Sequence, residues 1–157
     1  MNFIKDILDY IGYMGPIITS IITGISLLEN PPYLFTFIFG SILNHSLIGL
    51  LKLTIKQQRP SNPVNYIDDA NIKGVNSYGM PSGHAQITSF AITTLYLTRG
   101  NISLVFFSIF IYLLTIYQRW SFRRHTIEQL TVGTILGVLL SYTLFWITKK
   151  YLERIFI

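Results

Sequence analysis

The 157-residue chain contains no cysteine. Disulfides, thiolate-bound zinc and thiol nucleophiles are therefore excluded. Charge is scarce: Asp, Glu, Lys and Arg make up 12% of residues against 50% hydrophobic, and mean hydropathy is +0.47. A water-soluble domain of this length cannot bury that much apolar surface, which points to an integral membrane protein. Acidic residues are the rarer sign, 7 against 12 Lys and Arg. The basic residues sit between apolar runs, not along an amphipathic face. Their expected partners are phosphate and membrane lipid, not nucleic acid. No repeat or low-complexity tract occurs. No cleaved leader is expected, because Asp6 and Asp9 offset Lys5 and no small-residue cleavage pattern follows. The length predicts a single domain over residues 1–157.

What the chain does have is apolar runs. Phe3, Ile4, Ile7, Leu8 and Ile11 form one helical face, with Lys5, Asp6 and Asp9 opposite, and predict a short interfacial helix. Spans are expected from Ile11 to Leu28, Tyr33 to Lys56, Ser82 to Thr98, Ile102 to Tyr117 and Ile127 to Ile147. The predicted fold is all-α: a polytopic membrane helix bundle of about five transmembrane helices plus that short N-terminal helix. Gly12, Gly15 and Gly24 in the first span, and the stripe Gly133, Gly137 and Ser141 in the fifth, predict close helix contact. Pro60 is expected to end the second span. The polar stretch 61–80 is long enough to be functional or disordered. Asp68, Asp69 and Lys73 read as solvated charges on it.

If the spans alternate, the end of the second, the start of the third, the end of the fourth and the start of the fifth share one side. On that side lie Lys52, Arg59, the run Pro81-Ser82-Gly83-His84, then Arg119, His125 and Gln129. Lys52 and Arg59 share a face if their helix persists. Ser82 is placed to cap the third span, leaving the amides of Gly83 and His84 for an anion. Three cations and a helix N-terminus suit a tetrahedral phosphate and the extra charge of an in-line transition state. Two histidines then divide the work: one attacks phosphorus, the other protonates the leaving oxygen. No cluster of Asp, Glu or His has metal-ligand spacing, so no metal and no cofactor is expected. Singly, each motif has a plainer reading: a basic helix end at Lys52, Lys56 and Arg59; a helix start at Ser82; a capping box from Thr126 to Gln129. A capping Gln129 is still compatible with contact to His125. His45 reads as a buried structural residue, and Arg123 and Arg124 as interface anchors.

The three motifs in this order resemble the signature of the type 2 phosphatidic acid phosphatase superfamily, whose fold is shared with vanadium haloperoxidases. They are Lys52, six residues, Arg59-Pro60; Pro81-Ser82-Gly83-His84; and Arg119, five residues, His125, three residues, Gln129. The resemblance covers Asn44 to Ser141. It implies a metal-independent phosphatase with His125 as nucleophile, His84 as general acid, and Lys52, Arg59, Arg119, Ser82 and Gly83 around the phosphate. Two positions depart from the usual pattern: Gln118 replaces a serine, and Gln129 replaces an aspartate. Gln129 is expected to orient His125 through its amide oxygen without adding charge. Glutamine there, with Asn44, Tyr78-Gly79-Met80 and Thr126, is similar to the dolichyl diphosphatase branch, although Gly83 stands where that branch has serine. That branch implies hydrolysis of a polyprenyl diphosphate to the monophosphate and inorganic phosphate at the endoplasmic reticulum membrane. Two alternatives stand beside it: a phosphatidate-type lipid phosphatase, and a catalytically weak phospholipid-binding membrane protein.

Overall fold

The computed structural model describes residues 3–64, 74–98 and 101–153. The described chain is helical: α1 (Phe3–Ser26), α2 (Pro31–Ile55), α3 (Gly83–Leu97), α4 (Ile102–Ser121) and α5 (Ile127–Ile147). A 3-10 turn covers Gly74–Ser77, and a π-helical turn continues α5 over Thr148–Leu152. Four helices, α1, α2, α4 and extended α5, are long and apolar enough to cross a membrane. The 15 residues of α3 span about 22 Å, short of a ~30 Å hydrocarbon core.

Large apolar side chains face outward: Ile17, Ile21 and Ile25 on α1, Phe35 and Ile42 on α2, Phe106 and Phe110 on α4, Leu139 and Trp146 on α5. The inward positions of α1 are Asp9, Gly12, Gly15, Thr19 and Thr23. Lipid favours this arrangement, because small residues let helices approach and buried hydroxyls find backbone partners. Thr23, for example, donates to the Ala91 carbonyl across the α1–α3 interface at 3.1 Å. The chain is a multi-pass membrane protein.

Short α3 is the hub, packed against α1, α2, α4 and α5. The stripe on α5 is its seat. A Cβ at Gly133 would strike the Ser82 carbonyl and one at Gly137 the Gln86 carbonyl, while Ser141 shares a 2.9 Å hydrogen bond with Thr94. Gly12 and Gly15 seat α1 on α4 at Leu114 and Thr115. Gly24 does not serve this purpose, because a side chain there meets nothing.

Five further expectations change. Among the described residues there is no separate interfacial helix: α1 runs unbroken from Phe3 to Ser26. Asp9 is buried rather than on a polar face, because it falls in line with Gly12 against α4. Helix α2 ends at Ile55, where Lys56 turns left-handed (φ 52°), before Pro60 can act. Helix α4 continues past the expected Tyr117, through Gln118 and Arg119 to Ser121, which leaves only residues 122–126 as the hinge before α5. His45 is exposed on α2. The buried stripe of that helix is Thr36, Gly40, Asn44, Ile48 and Lys52, a four-residue step that rotates about 40° each time and brings Asn44 inward instead.

Candidate active site

The four helix ends that carry the motifs meet at His125. This residue lies in the hinge between α4 and α5, 2% exposed. Its backbone N–H, like that of Arg124, donates to the Arg119 carbonyl, which folds the hinge back on the end of α4. Its Nδ1 lies 3.0 Å from the carbonyl of Gly79. A carbonyl only accepts, so Nδ1 carries the ring proton and Nε2 is the bare nitrogen. Nε2 points toward Arg59, whose Nη1 donates to it at 3.2 Å.

Arg59 reaches this place without a helix. Beyond Lys56 the chain is extended, and Gln58 bridges Tyr78. The guanidinium is clamped by the Asn76 carbonyl, which accepts from Nε and Nη2 at 3.1 and 3.0 Å, and by the Arg124 carbonyl, which accepts from Nη1 at 2.8 Å. Lys52 is buried one turn inside the end of α2. Arg119, 2% exposed, lies over the Tyr13 ring at 5.6 Å. His84, in the first turn of α3, packs against the other side of this arrangement: its ring is 5.6 Å from Tyr13 and hydrogen-bonds the Tyr13 backbone. Burial first, then the charges of Arg59 and Arg119, then His84 and Lys52, hold His125 well below its ordinary 6.5. The imidazole is therefore neutral near pH 7.

Gln129 does three things. It forms the capping box with Thr126, each backbone N–H meeting the other's side chain at 3.2 Å. Its Oε1 also lies 3.3 Å from His125 Nδ1. Its Nε2 donates to Gln57 Oε1 at 2.9 Å and the Gln58 carbonyl at 2.8 Å, tying the start of α5 to the segment carrying Arg59. The hydroxyl of Ser82 caps α3 by accepting from Ala85 N–H at 3.5 Å, and the Ser82 amide donates to the Gln129 carbonyl. The amides of Gly83 and His84 then lie in a first helical turn, where no preceding carbonyl can take them.

A profile of the PAP2 superfamily matches residues 32–153, most of the chain. The chain belongs to the PAP2 superfamily. Members are phosphatases, which supports a phosphoric ester hydrolase acting on lipid phosphates. Comparison with curated proteins and with solved structures gives no match. Helix α1 precedes the matched region, so Tyr13 joins His84 and Arg119 from outside the part that carries the superfamily pattern.

Sequence reasoning missed Tyr13, Gln57, Asn76 and the Gly79 carbonyl. Backbone acceptors leave no signature in residue types. Gly79 does carry one: a Cβ there would occupy the Gln129 side chain, so only glycine lets the loop lie this close. Arg124 is 1% exposed and is no interface anchor, whereas Arg123 is exposed. Asp68, Asp69 and Lys73 lie outside the described residues.

Proposed function

We propose that this PAP2 superfamily member is a metal-independent phosphatase of one membrane-embedded domain. It hydrolyses a polyprenyl, dolichyl-like diphosphate to the monophosphate and inorganic phosphate through a phosphohistidine. The observation that carries the reading is the Gly79 carbonyl on His125 Nδ1–H, which turns the bare Nε2 toward Arg59. A neutral imidazole held with its lone pair toward a cation is prepared to meet a phosphoryl group.

Arg59, Lys52 and Arg119, with the Gly83 and His84 amides, receive the terminal phosphoryl oxygens, and Ser82 fixes the amides by capping α3. His125 Nε2 attacks phosphorus. The P–N bond forms as the bridging P–O bond breaks, and protonated His84 gives its proton to the departing polyprenyl monophosphate. In the free protein burial, and then the charges of Arg119 and Arg59, favour neutral His84; the phosphate dianion offsets those charges on binding, and His84 takes up from solvent the proton it later gives. Water then attacks the phosphohistidine and gives its proton to His84. The P–N bond breaks, inorganic phosphate leaves, and both rings return to their starting state. The Gly79 carbonyl and Gln129 Oε1 stabilise the positive charge on His125 through Nδ1–H.

Protein purified in detergent with EDTA is expected to release phosphate from a polyprenyl diphosphate. His125→Ala and His84→Ala each lower kcat by about a hundredfold or more, and His45→Ala, on the outer face of α2, leaves it unchanged. Release that requires added divalent metal overturns the mechanism. Faster turnover of phosphatidate than of the diphosphate replaces the substrate, and lipid binding without turnover leaves a headgroup-binding protein.

A further inference from the structure

Four helices surround α3, and the ring they make is open at one place. Helices α1 and α4 pack closely, α2 and α5 pack together, and α1 and α2 touch, but α4 and α5 make at most marginal contact among the described residues. Between them lies a cavity of about 530 Å³, open to the outside and walled by Leu113 and Ile116 of α4 and Leu130 and Ile135 of α5. A hydroxyl pair, Tyr112 with Thr134 at 2.7 Å, joins the two helices across it. At its other end the cavity reaches Trp120 and Ile127. Those same two residues line a second cavity of about 550 Å³, whose wall includes Arg123 and His125. The apolar groove thus adjoins the polar mouth at His125, with Trp120 and Ile127 between them.

We infer that the α4–α5 groove binds the hydrocarbon chain of the lipid phosphate, the head passing Trp120 to reach His125. The inference rests on the phosphatase reading of that site. The groove faces lipid on its open side, so a chain slides in sideways without crossing water. Charged side chains stand only at the His125 end of the groove's lining, the exposed Arg123 and, beside it, the exposed Glu128, and none lines the other end. From Trp120 to Tyr112 the groove runs about 12 Å at 1.5 Å per residue, which accommodates roughly ten chain carbons. Chain beyond that length lies in the bilayer.

The test compares isopentenyl diphosphate, too short to fill the groove, with a long polyprenyl diphosphate. Thr131 of α5 lines the groove, and Thr131→Trp places an indole in it. It is expected to lower kcat/KM for the long substrate at least tenfold, chiefly through KM, and to cut the ratio of long to short substrate by a similar factor. Ile21→Trp, on the outer face of α1, is the control and leaves both rates as they were. Equal losses on both substrates, or none, overturn the groove. A wild-type protein that turns over neither overturns the phosphatase reading instead. If Thr131→Trp does not fold, a polyprenyl diphosphate with a diazirine in its first ten carbons decides on the wild-type protein. Competed adducts between residues 112 and 135 support the groove, and competed adducts on α1 or α2 alone refute it.

Discussion

Gln129→Glu keeps the shape of the side chain and reverses one half of its hydrogen bonding. Oε1 still accepts from Thr126 N–H and faces His125 Nδ1. The other oxygen now stands where Nε2 donated to Gln57 Oε1 and to the Gln58 carbonyl. Gln57 can rotate its amide and donate, but the Gln58 carbonyl cannot rotate and is left facing an acceptor. One buried acceptor without its donor costs about 1–3 kcal/mol, and the desolvated carboxylate adds to that. In a chain of this length the thermal midpoint falls by about 2–4 °C per kcal/mol. The deficit shrinks as pH falls, because protonating the introduced carboxylate restores one donor. Activity changes in a separate way. His125 is held well below 6.5 by burial and by Arg59, Arg119, His84 and Lys52. A carboxylate against Nδ1–H favours the imidazolium, so the His125 pKa rises and the neutral imidazole that the proposed mechanism needs is lost at a higher pH than before. The acidic limb of kcat/KM is expected to move upward, against an unchanged substrate ionisation. Unfolding in detergent and a pH–rate profile read the two effects. A variant as stable as the parent with an unmoved acidic limb would refute the assigned hydrogen bonds. Gln129→Asp is the poorer test, since its shorter chain breaks every contact at once.

Arg59→Lys keeps the charge but cannot span the Asn76 and Arg124 carbonyls and Nε2 together; kcat/KM is expected to fall by tenfold or more, with stability moving by less than His125→Ala moves activity. Gly83→Ser is expected to fold normally and retain activity, because a Cβ there meets only Ile48, at 3.6 Å; loss of expression would show that the start of α3 is tighter than described. Gly24→Ala is expected to be neutral or to stabilise by up to about 1 kcal/mol, whereas Gly12→Ala, which drives a methyl into the Leu114 carbonyl, lowers the midpoint by several degrees; thermal scans of the two variants decide.

The helical spans were legible because long apolar runs leave no alternative in lipid. Helix α5 has the predicted bounds because Thr126 and Gln129 mark its start chemically. Helix α3 starts where Ser82 caps it. What could not be read was how far a helix runs past its last apolar residue. Helix α4 keeps Gln118 and Arg119 because both are buried by α1, through Gly12 and Tyr13, and sequence does not show that neighbour. Helix α2 ends within a residue of the expected Lys56, but for a backbone reason, the left-handed Lys56 itself, and not through Pro60. The convergence of Lys52, Arg59, Arg119, His84 and His125 was legible from topology. The route of Arg59 was not, since it depends on an extended segment pairing with Tyr78. Arg124 was misread because arginine beside an apolar span is usually an anchor, and here the hinge folds it inward.

These placements change the meaning of a neutral residue at position 129. Where an aspartate orients a nucleophilic histidine, it also cancels one positive charge in the pocket. Here orientation is supplied by the Gly79 carbonyl, and the side-chain charges acting on His125 come from Arg59, Arg119 and Lys52, with the second histidine His84 beside them. Glu128 lines the mouth but is exposed. Three cations, with no buried carboxylate beside them among the described residues, leave a pocket more positive than a phosphomonoester neutralises. A diphosphate head carries more negative charge and matches it better, which supports the polyprenyl diphosphate reading over the phosphatidate one. The argument has a direct consequence for Gln129→Glu. Cancelling one charge is expected to penalise the diphosphate more than phosphatidate, so the ratio of their kcat/KM values shifts toward the monoester. A ratio that stays constant while both rates fall would mean that Gln129 acts through position alone, and charge matching would no longer support the choice of substrate.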